Sequence, residues 1–157
     1  MRKVLACAAL IALPAHAQDM PSLKGCYVET SVAGTFLAAG PREGQLGAGL
    51  GCDTRIDLVV LGGGIRGDFG DFKSGSAYAK LGFALNPHLH LYGLGEWKVP
   101  DWKIRSAGQL HLGAGVETSV LFNGVSAFIE GTTSLAKFGP AAANEDIAIR
   151  LGARYRF

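Results

Sequence analysis

The feature that most constrains the fold is a period-two alternation of apolar with small or polar residues, repeated in blocks of about ten residues. Because successive side chains of a strand point to opposite faces, each block predicts a β-strand with two chemically different faces. All 23 glycines lie after residue 17, and so many would weaken helices by ~1 kcal/mol each, which favours an all-β chain. The sequence contains eight such blocks: Gly25–Leu37, Gly44–Cys52, Ile56–Gly67, Ser76–Leu85, His88–Trp97, Ala107–Ser119, Val125–Leu135 and Asp146–Phe157.

The links between the blocks alternate in length. Short turns are predicted at Asn86-Pro87, at Asn123-Gly124 and around Asp53-Thr54-Arg55. This alternation predicts an antiparallel up-and-down arrangement with the short turns gathered at one end. The longer links lie between these turns, at Ala38–Glu43, Asp68–Gly75, Lys98–Ser106 and Ala136–Glu145.

The two faces of the predicted strands differ in a way that favours a membrane. In the last block, apolar residues such as Ile149 and Leu151 alternate with Arg150, Arg154 and Arg156, of which Arg156 is expected at the rim. An apolar face toward lipid and a face of small and charged residues toward a lumen predict an eight-stranded antiparallel up-and-down transmembrane β-barrel. A soluble β-sandwich or lipocalin-like barrel is the alternative, and the run Leu58-Val59-Val60-Leu61, apolar on both faces, would suit it.

The amino-terminal residues predict export. Residues 1–17 combine two basic residues, a short apolar stretch and the small-residue pattern Ala15-His16-Ala17, as in a cleaved signal peptide. We expect residues 18–24 to form a short periplasmic segment and residues 25–157 to form the barrel. Cleavage would leave thirteen basic and thirteen acidic residues, so no nucleic-acid partner is expected.

Two stretches resemble known membrane proteins. Residues 150–157 resemble the last strand of outer-membrane β-barrels, where alternating apolar residues end on a carboxy-terminal phenylalanine. Residues 112–117, Leu-Gly-Ala-Gly-Val-Glu, resemble a stretch of small surface-antigen barrels related to the transmembrane domain of outer-membrane protein A. The resemblance implies the outer membrane of a Gram-negative bacterium, and it implies that Tyr155 and Phe157 are recognised by the outer-membrane assembly machinery.

The inward face predicts a charge network in place of a wide pore. An eight-stranded barrel is narrow enough to be filled by its own side chains. A hairpin centred near Pro140 would place Glu130 opposite Arg150, so a salt bridge is expected there. The predicted lumen charges are Glu29, Arg66, Lys80, Glu96, Glu117, Glu130, Arg150 and Arg154.

Cysteines and histidines supply the remaining candidates. A hairpin centred near Ala39 would place Cys26 opposite Cys52, which predicts a cross-strand disulfide, with a free thiol pair as the alternative. Histidines and glutamates on neighbouring inward faces suggest a metal site or an acid/base pair, but a contact between His88 and Glu117 is sufficient explanation and no metal is predicted. These inward residues are His88, His90, Glu96, His111 and Glu117.

These patterns favour a non-enzymatic outer-membrane protein with a structural or surface role and a lumen closed by charged side chains. A narrow, porin-like ion channel is the second hypothesis. An outer-membrane lipid-modifying enzyme is the third, and it is disfavoured because no histidine is predicted to face the lipid. No cofactor is expected, and the expected partners of the monomer are outer-membrane lipids and the assembly machinery.

Overall fold

The computed structural model describes residues 24–37, 40–41, 44–69, 74–100, 108–122, 124–135 and 147–157. The predicted signal peptide and most of the segment 18–24 lie outside these residues. Within the described ranges, no helix is long and apolar enough to cross a membrane. The strands are β1 Gly25–Leu37, β2 Gly40–Pro41, β3 Gln45–Ile56, β4 Val59–Phe69, β5 Ser74–Asn86, β6 Leu89–Pro100, β7 Gln109–Phe122, β8 Val125–Ser134 and β9 Ile147–Arg156.

Eight long strands close into an antiparallel up-and-down barrel. Each long strand pairs with the next along the chain, and β9 pairs back with β1. The two-residue β2 only extends the pairing at the end of β1. Closure pairs the backbone groups of the wall and removes exposed sheet edges, as a strand-built membrane protein requires. The predicted eight-stranded architecture is therefore confirmed.

One predicted turn is wrong. Thr54 and Arg55 lie inside β3, paired with Leu61 and Val60, and the turn to β4 comes later, at residues 57–58. Asp57 has φ 53°, in the left-handed region that aspartate enters more readily than most residues. Polar residues continue the strand here because Asp53 faces the lumen, where cations pair with it.

The turns at residues 57–58 and 87–88 and the paired ends of β7 and β8 at Phe122 and Val125 lie at the same end of the barrel as the beginning of β1 and the end of β9. We call it the short-turn end, and the opposite end the long-loop end. The predicted turns at Asn86-Pro87 and Asn123-Gly124 agree with the end of β5 at Asn86 and with the pairing of Phe122 and Val125, although Asn123 lies outside the described residues.

The wall is apolar outside and charged inside. Leu50 and Leu151 are each 54% exposed on the outer face, whereas the inward Arg154 is 0% exposed. This distribution is the reverse of a soluble β-protein, so the soluble alternative is not supported. The run 58–61 is apolar on both faces because Leu58 lies in a turn and Val60 is buried inside the barrel.

Candidate functional site

The lumen holds a group of charged side chains that we call the lumen network. The eight lumen charges named from the sequence all point inward and are buried. Three further charges that were not predicted as lumen residues join them: Asp53, Asp68 and Arg156. Lys98, at the long-loop end, is partly exposed and also pairs with the network.

Arg154 on β9 is the centre of the lumen network. Its Nε donates to Oε2 of Glu29 at 3.0 Å, its Nη1 to Oε2 of Glu117 at 2.6 Å and its Nη2 to Oε1 of Glu130 at 2.7 Å. Its guanidinium carbon also lies 3.9 Å from the ring centroid of Phe128. A guanidinium suits this position because its donors are fixed in one plane and can serve several carboxylates at once.

Arg66 on β4 holds two of these carboxylates, Glu29 and Glu130, from the other side of the lumen. Its Nη1 donates to Oε2 of Glu130 at 2.6 Å, and its Nε lies 3.1 Å from Oε1 of Glu29. Its guanidinium stacks on the ring of Tyr78, 3.9 Å from the ring centroid. Since β4 and β8 lie half a circumference apart in the strand order, the Arg66–Glu130 pair spans the barrel.

The network continues toward the short-turn end. Nζ of Lys80 lies 2.9 Å from Oδ2 of Asp53 and 3.4 Å from Oε2 of Glu117. Arg156 pairs with the same two acids, at 2.7 Å and 2.5 Å respectively. Sequence reasoning missed Asp53 because it was placed in a turn, and it left Arg156 at the rim, whereas Arg156 is buried in the network.

Toward the long-loop end, Asp68 is the central acid. It accepts hydrogen bonds from Nη1 of Arg150 at 2.7 Å and from Oγ of Ser74 at 3.2 Å, and Nζ of Lys98 lies 3.3 Å away. Asp68 and Lys98 were predicted to lie in longer links, but both are strand residues.

The predicted Glu130–Arg150 salt bridge is wrong, although the register behind it is right. Glu130 and Arg150 are directly opposite on β8 and β9. Arg150 pairs instead with Asp68, and Glu130 pairs with Arg66 and Arg154. In a narrow barrel, long inward side chains reach across the lumen as readily as sideways.

Tyrosines fill the space between the charges. The hydroxyl groups of Tyr27 and Tyr78 lie 2.7 Å apart, and Tyr92 donates to Oε1 of Glu130 at 2.8 Å. Tyr27 and Tyr78 lean over Gly51, where a Cβ would come within 2.5 Å and 2.8 Å of their hydroxyl oxygens. All three tyrosines occupy inward positions of the alternation, so the pattern that located the charges would also have located them.

The histidines differ in position from the sequence expectation. His88 lies exposed in the turn after β5, and its Nδ1 is 2.8 Å from Oγ of Ser119, so the predicted contact with Glu117 is wrong. His90 is the residue opposite Glu117. Oγ of Ser76 donates to Oε1 of Glu96, which lies opposite His111. In the described part of the chain, no group of three His, Cys, Asp or Glu residues is placed to hold a metal ion.

Cys26 and Cys52 are directly opposite on β1 and β3 and form a disulfide. Both belong to the outward face near the short-turn end, because Tyr27 and Asp53 beside them point inward. Cys52 is exposed on the outside of the wall.

The chemistry of the lumen is that of a closed plug. Among the residues that the structure describes, and counting Lys98, the lumen charges comprise six acids and six bases, so opposite charges balance there. Buried charges are tolerated when they are paired and hydrogen-bonded in this way.

No protein-family model matches the chain, and no curated protein matches it. Among solved structures, it is similar to Ail, the attachment invasion locus protein of Yersinia pestis, with 18% identity, 85% of this chain and 99% of that chain covered, and a TM-score of 0.56. A de novo designed transmembrane β-barrel gives 11% identity, 84% and 96% coverage and a TM-score of 0.52. The designed barrel TMB2.3 has 15% identity, with 90% of this chain and 98% of that chain covered and a TM-score of 0.53.

These similarities define the class of the fold. The chain has the fold of small transmembrane β-barrels, and the predicted resemblance to small outer-membrane barrels is confirmed at that level.

Proposed function

We propose that this chain is a non-enzymatic outer-membrane β-barrel of a Gram-negative bacterium, with a structural or surface role in the cell envelope. The observation that carries the proposal is an apolar wall around a charged lumen whose acids and bases balance. Such a lumen closes the barrel to solutes, and such a wall suits hydrocarbon.

The network geometry favours a structural role over catalysis. Glu29, Glu117 and Glu130 are 0–2% exposed, and each is held by at least two cations. A general base or nucleophile must reach its substrate, and these carboxylates have no such access. The exposed His88 lies in a turn, hydrogen-bonded to Ser119.

The proposed partners are outer-membrane lipids and the outer-membrane assembly machinery. Lipids would cover the apolar outer face of the strands. Phe157 is 76% exposed, and Tyr155 lies on the same outward face, which supports a role for both in recognition during assembly. A closed barrel has no free edge strand, which supports a monomer.

Gel mobility in detergent, with and without boiling, tests the barrel and its location. We expect a boiling-dependent shift for the protein from isolated outer membranes, together with resistance to extraction by urea. Recovery of the protein in the soluble periplasmic fraction without a shift would overturn the proposal.

Conductance and lipid chemistry test the two competing functions. Refolded protein in a planar bilayer should produce no single-channel openings beyond those of a detergent-only control, and labelled lipid A should remain unchanged after incubation. Reproducible openings would favour the ion channel, and a modified lipid product would favour the enzyme.

A further inference from the structure

The Cys26–Cys52 disulfide joins β1 and β3, and the turn between these two strands does not fix their relative register. In the β1–β3 pairing, Cys26 lies opposite Cys52, and the same register continued along both strands would place Leu37 opposite Pro41. In the β1–β2 pairing beside the connecting loop, Leu37 instead lies opposite Gly40. The pairing nearest the turn is thus one residue out of step with the long strands, so the turn alone does not set their register.

Between residues 47 and 51 the inward face of β3 adds little register information, so on this face the native register depends on Asp53, which pairs with Lys80 and Arg156. Gly47, Gly49 and Gly51 occupy three successive inward positions, whereas β5 places Tyr78 and Lys80 inward. A slip by two residues preserves the inward and outward faces of both strands, and at most of these positions it replaces one glycine by another. Strands that are rich in glycine are prone to such slips.

A slip in this strand pair would prevent correct closure of the barrel. Two residues correspond to a shift of ~7 Å along the strand. Glu29 on β1 would then lose its contacts with Arg66 on β4 and Arg154 on β9, which are 3.1 Å and 3.0 Å in the closed barrel. The pairing of β1 with β9, which closes the barrel, also depends on the position of β1. The backbone N–H of Phe157 donates to the carbonyl oxygen of Cys26 at 3.1 Å.

We propose that the disulfide is a register clamp, formed between β1 and β3 before the barrel closes. Only the native register places Cys26 opposite Cys52. A slip by two residues places Cys26 opposite Leu50 or Thr54, so a bond between the two cysteines selects the register that closure needs.

Bond formation requires a disulfide oxidant, such as an oxidised periplasmic dithiol protein. The thiolate of one cysteine attacks the oxidant's disulfide and forms a mixed disulfide, from which the second thiolate displaces the oxidant's sulfur. Two electrons pass to the oxidant, which leaves as a dithiol, and the two cysteine thiols lose two protons.

The order of reduction and folding tests the clamp. All variants carry C7S, so that no third thiol competes. We expect C26S/C52S, or the C7S chain reduced and alkylated while unfolded, to refold into lipid vesicles with a several-fold lower yield of the heat-modifiable form. Reduction after folding should leave the folded band unchanged. Loss of the folded band on late reduction would overturn the proposal, because the disulfide would then be holding the finished barrel together.

Reporter cysteines on the same outward faces measure the register itself. In the C26S/C52S background, T30C/A48C is directly opposite in the native register, and T30C/L50C and T30C/L46C report slips by two residues in either direction. Chains folded under reducing conditions and then oxidised should form the slipped cross-links. T30C/A48C oxidised before folding should restore the yield.

The reporter experiment has a clear opposing outcome. If C26S/C52S chains refold as well as the parent and cross-link only through T30C/A48C, the register is set without the disulfide and the clamp is wrong. These results concern folding alone, so they leave the proposed envelope role to its own tests.

Discussion

Replacing Arg154 with methionine tests whether the lumen network stabilises the barrel. Methionine retains most of the apolar stem and removes the three charge-assisted contacts to Glu29, Glu117 and Glu130. Removing one partner from a buried ion pair costs ~3–5 kcal/mol when the other charge is left unpaired.

The remaining contacts set the expected magnitude. In Arg154→Met, Glu29 and Glu130 keep Arg66, and Glu117 keeps Lys80 and Arg156. No carboxylate loses every partner, so we expect the lower end of the range, a loss of ~3 kcal/mol in the free energy of unfolding. If the free energy of unfolding falls by ~2 kcal/mol per M of urea, the urea concentration at the unfolding midpoint should be lower by ~1.5 M.

The assay is a urea titration of the refolded protein in lipid vesicles, followed by gel mobility without boiling. Arg150→Met is the matched control, because Asp68 keeps Lys98 and this end of the lumen is less enclosed, so a loss of only ~1–2 kcal/mol is expected.

A double-mutant cycle with Glu117→Gln provides the refutation. The double variant removes one acid and one base, so its loss should be smaller than the sum of the single losses by ~1 kcal/mol or more. A loss for Arg154→Met within ~0.5 kcal/mol of zero would refute the stabilising role of the network. Additive single and double variants would show that Arg154 and Glu117 do not stabilise the barrel through their mutual contact.

Three further changes probe other parts of the barrel. Gly51→Val should lower the free energy of unfolding by ~1–3 kcal/mol in the same urea titration, because its side chain would meet the hydroxyl of Tyr27; Gly131→Ala, with no atom within 4 Å of the added Cβ, should change it by less than ~0.5 kcal/mol. Leu50→Arg places a charge on the lipid face in the middle of β3 and should cost ~2–4 kcal/mol by that titration, whereas Leu50→Ala should cost much less; equal losses would contradict the lipid-facing assignment. Phe157→Ala should reduce the amount of folded protein in the outer membranes of cells without lowering the stability of purified protein, because Phe157 is 76% exposed; unchanged levels would argue against its role in assembly.

Much of the fold follows from local patterns. The first predicted strand, Gly25–Leu37, agrees with β1 residue by residue, because its alternation begins and ends at clear boundaries. The second predicted strand ended at Cys52, whereas β3 continues to Ile56, because a polar triplet typical of a turn is stabilised as strand by cations on distant strands.

The candidate site was less predictable than the fold. Alternation places Glu130 and Arg150 on the inward face, and hairpin symmetry places them opposite each other. Neither property says whether they bond, because each side chain also meets groups from strands far away in the sequence. Two residues of β4 are the actual partners: Asp68 pairs with Arg150, and Arg66 pairs with Glu130.

The sequence by itself determined the strand count, the apolar and charged faces and the opposition of Cys26 and Cys52, since these depend on the period of a strand and on local hairpin geometry. Only the tertiary structure decided which acid meets which base. Arg66 and Glu130 lie on strands separated by half the barrel, and they become neighbours only when the sheet closes around a lumen narrow enough for one side chain to span.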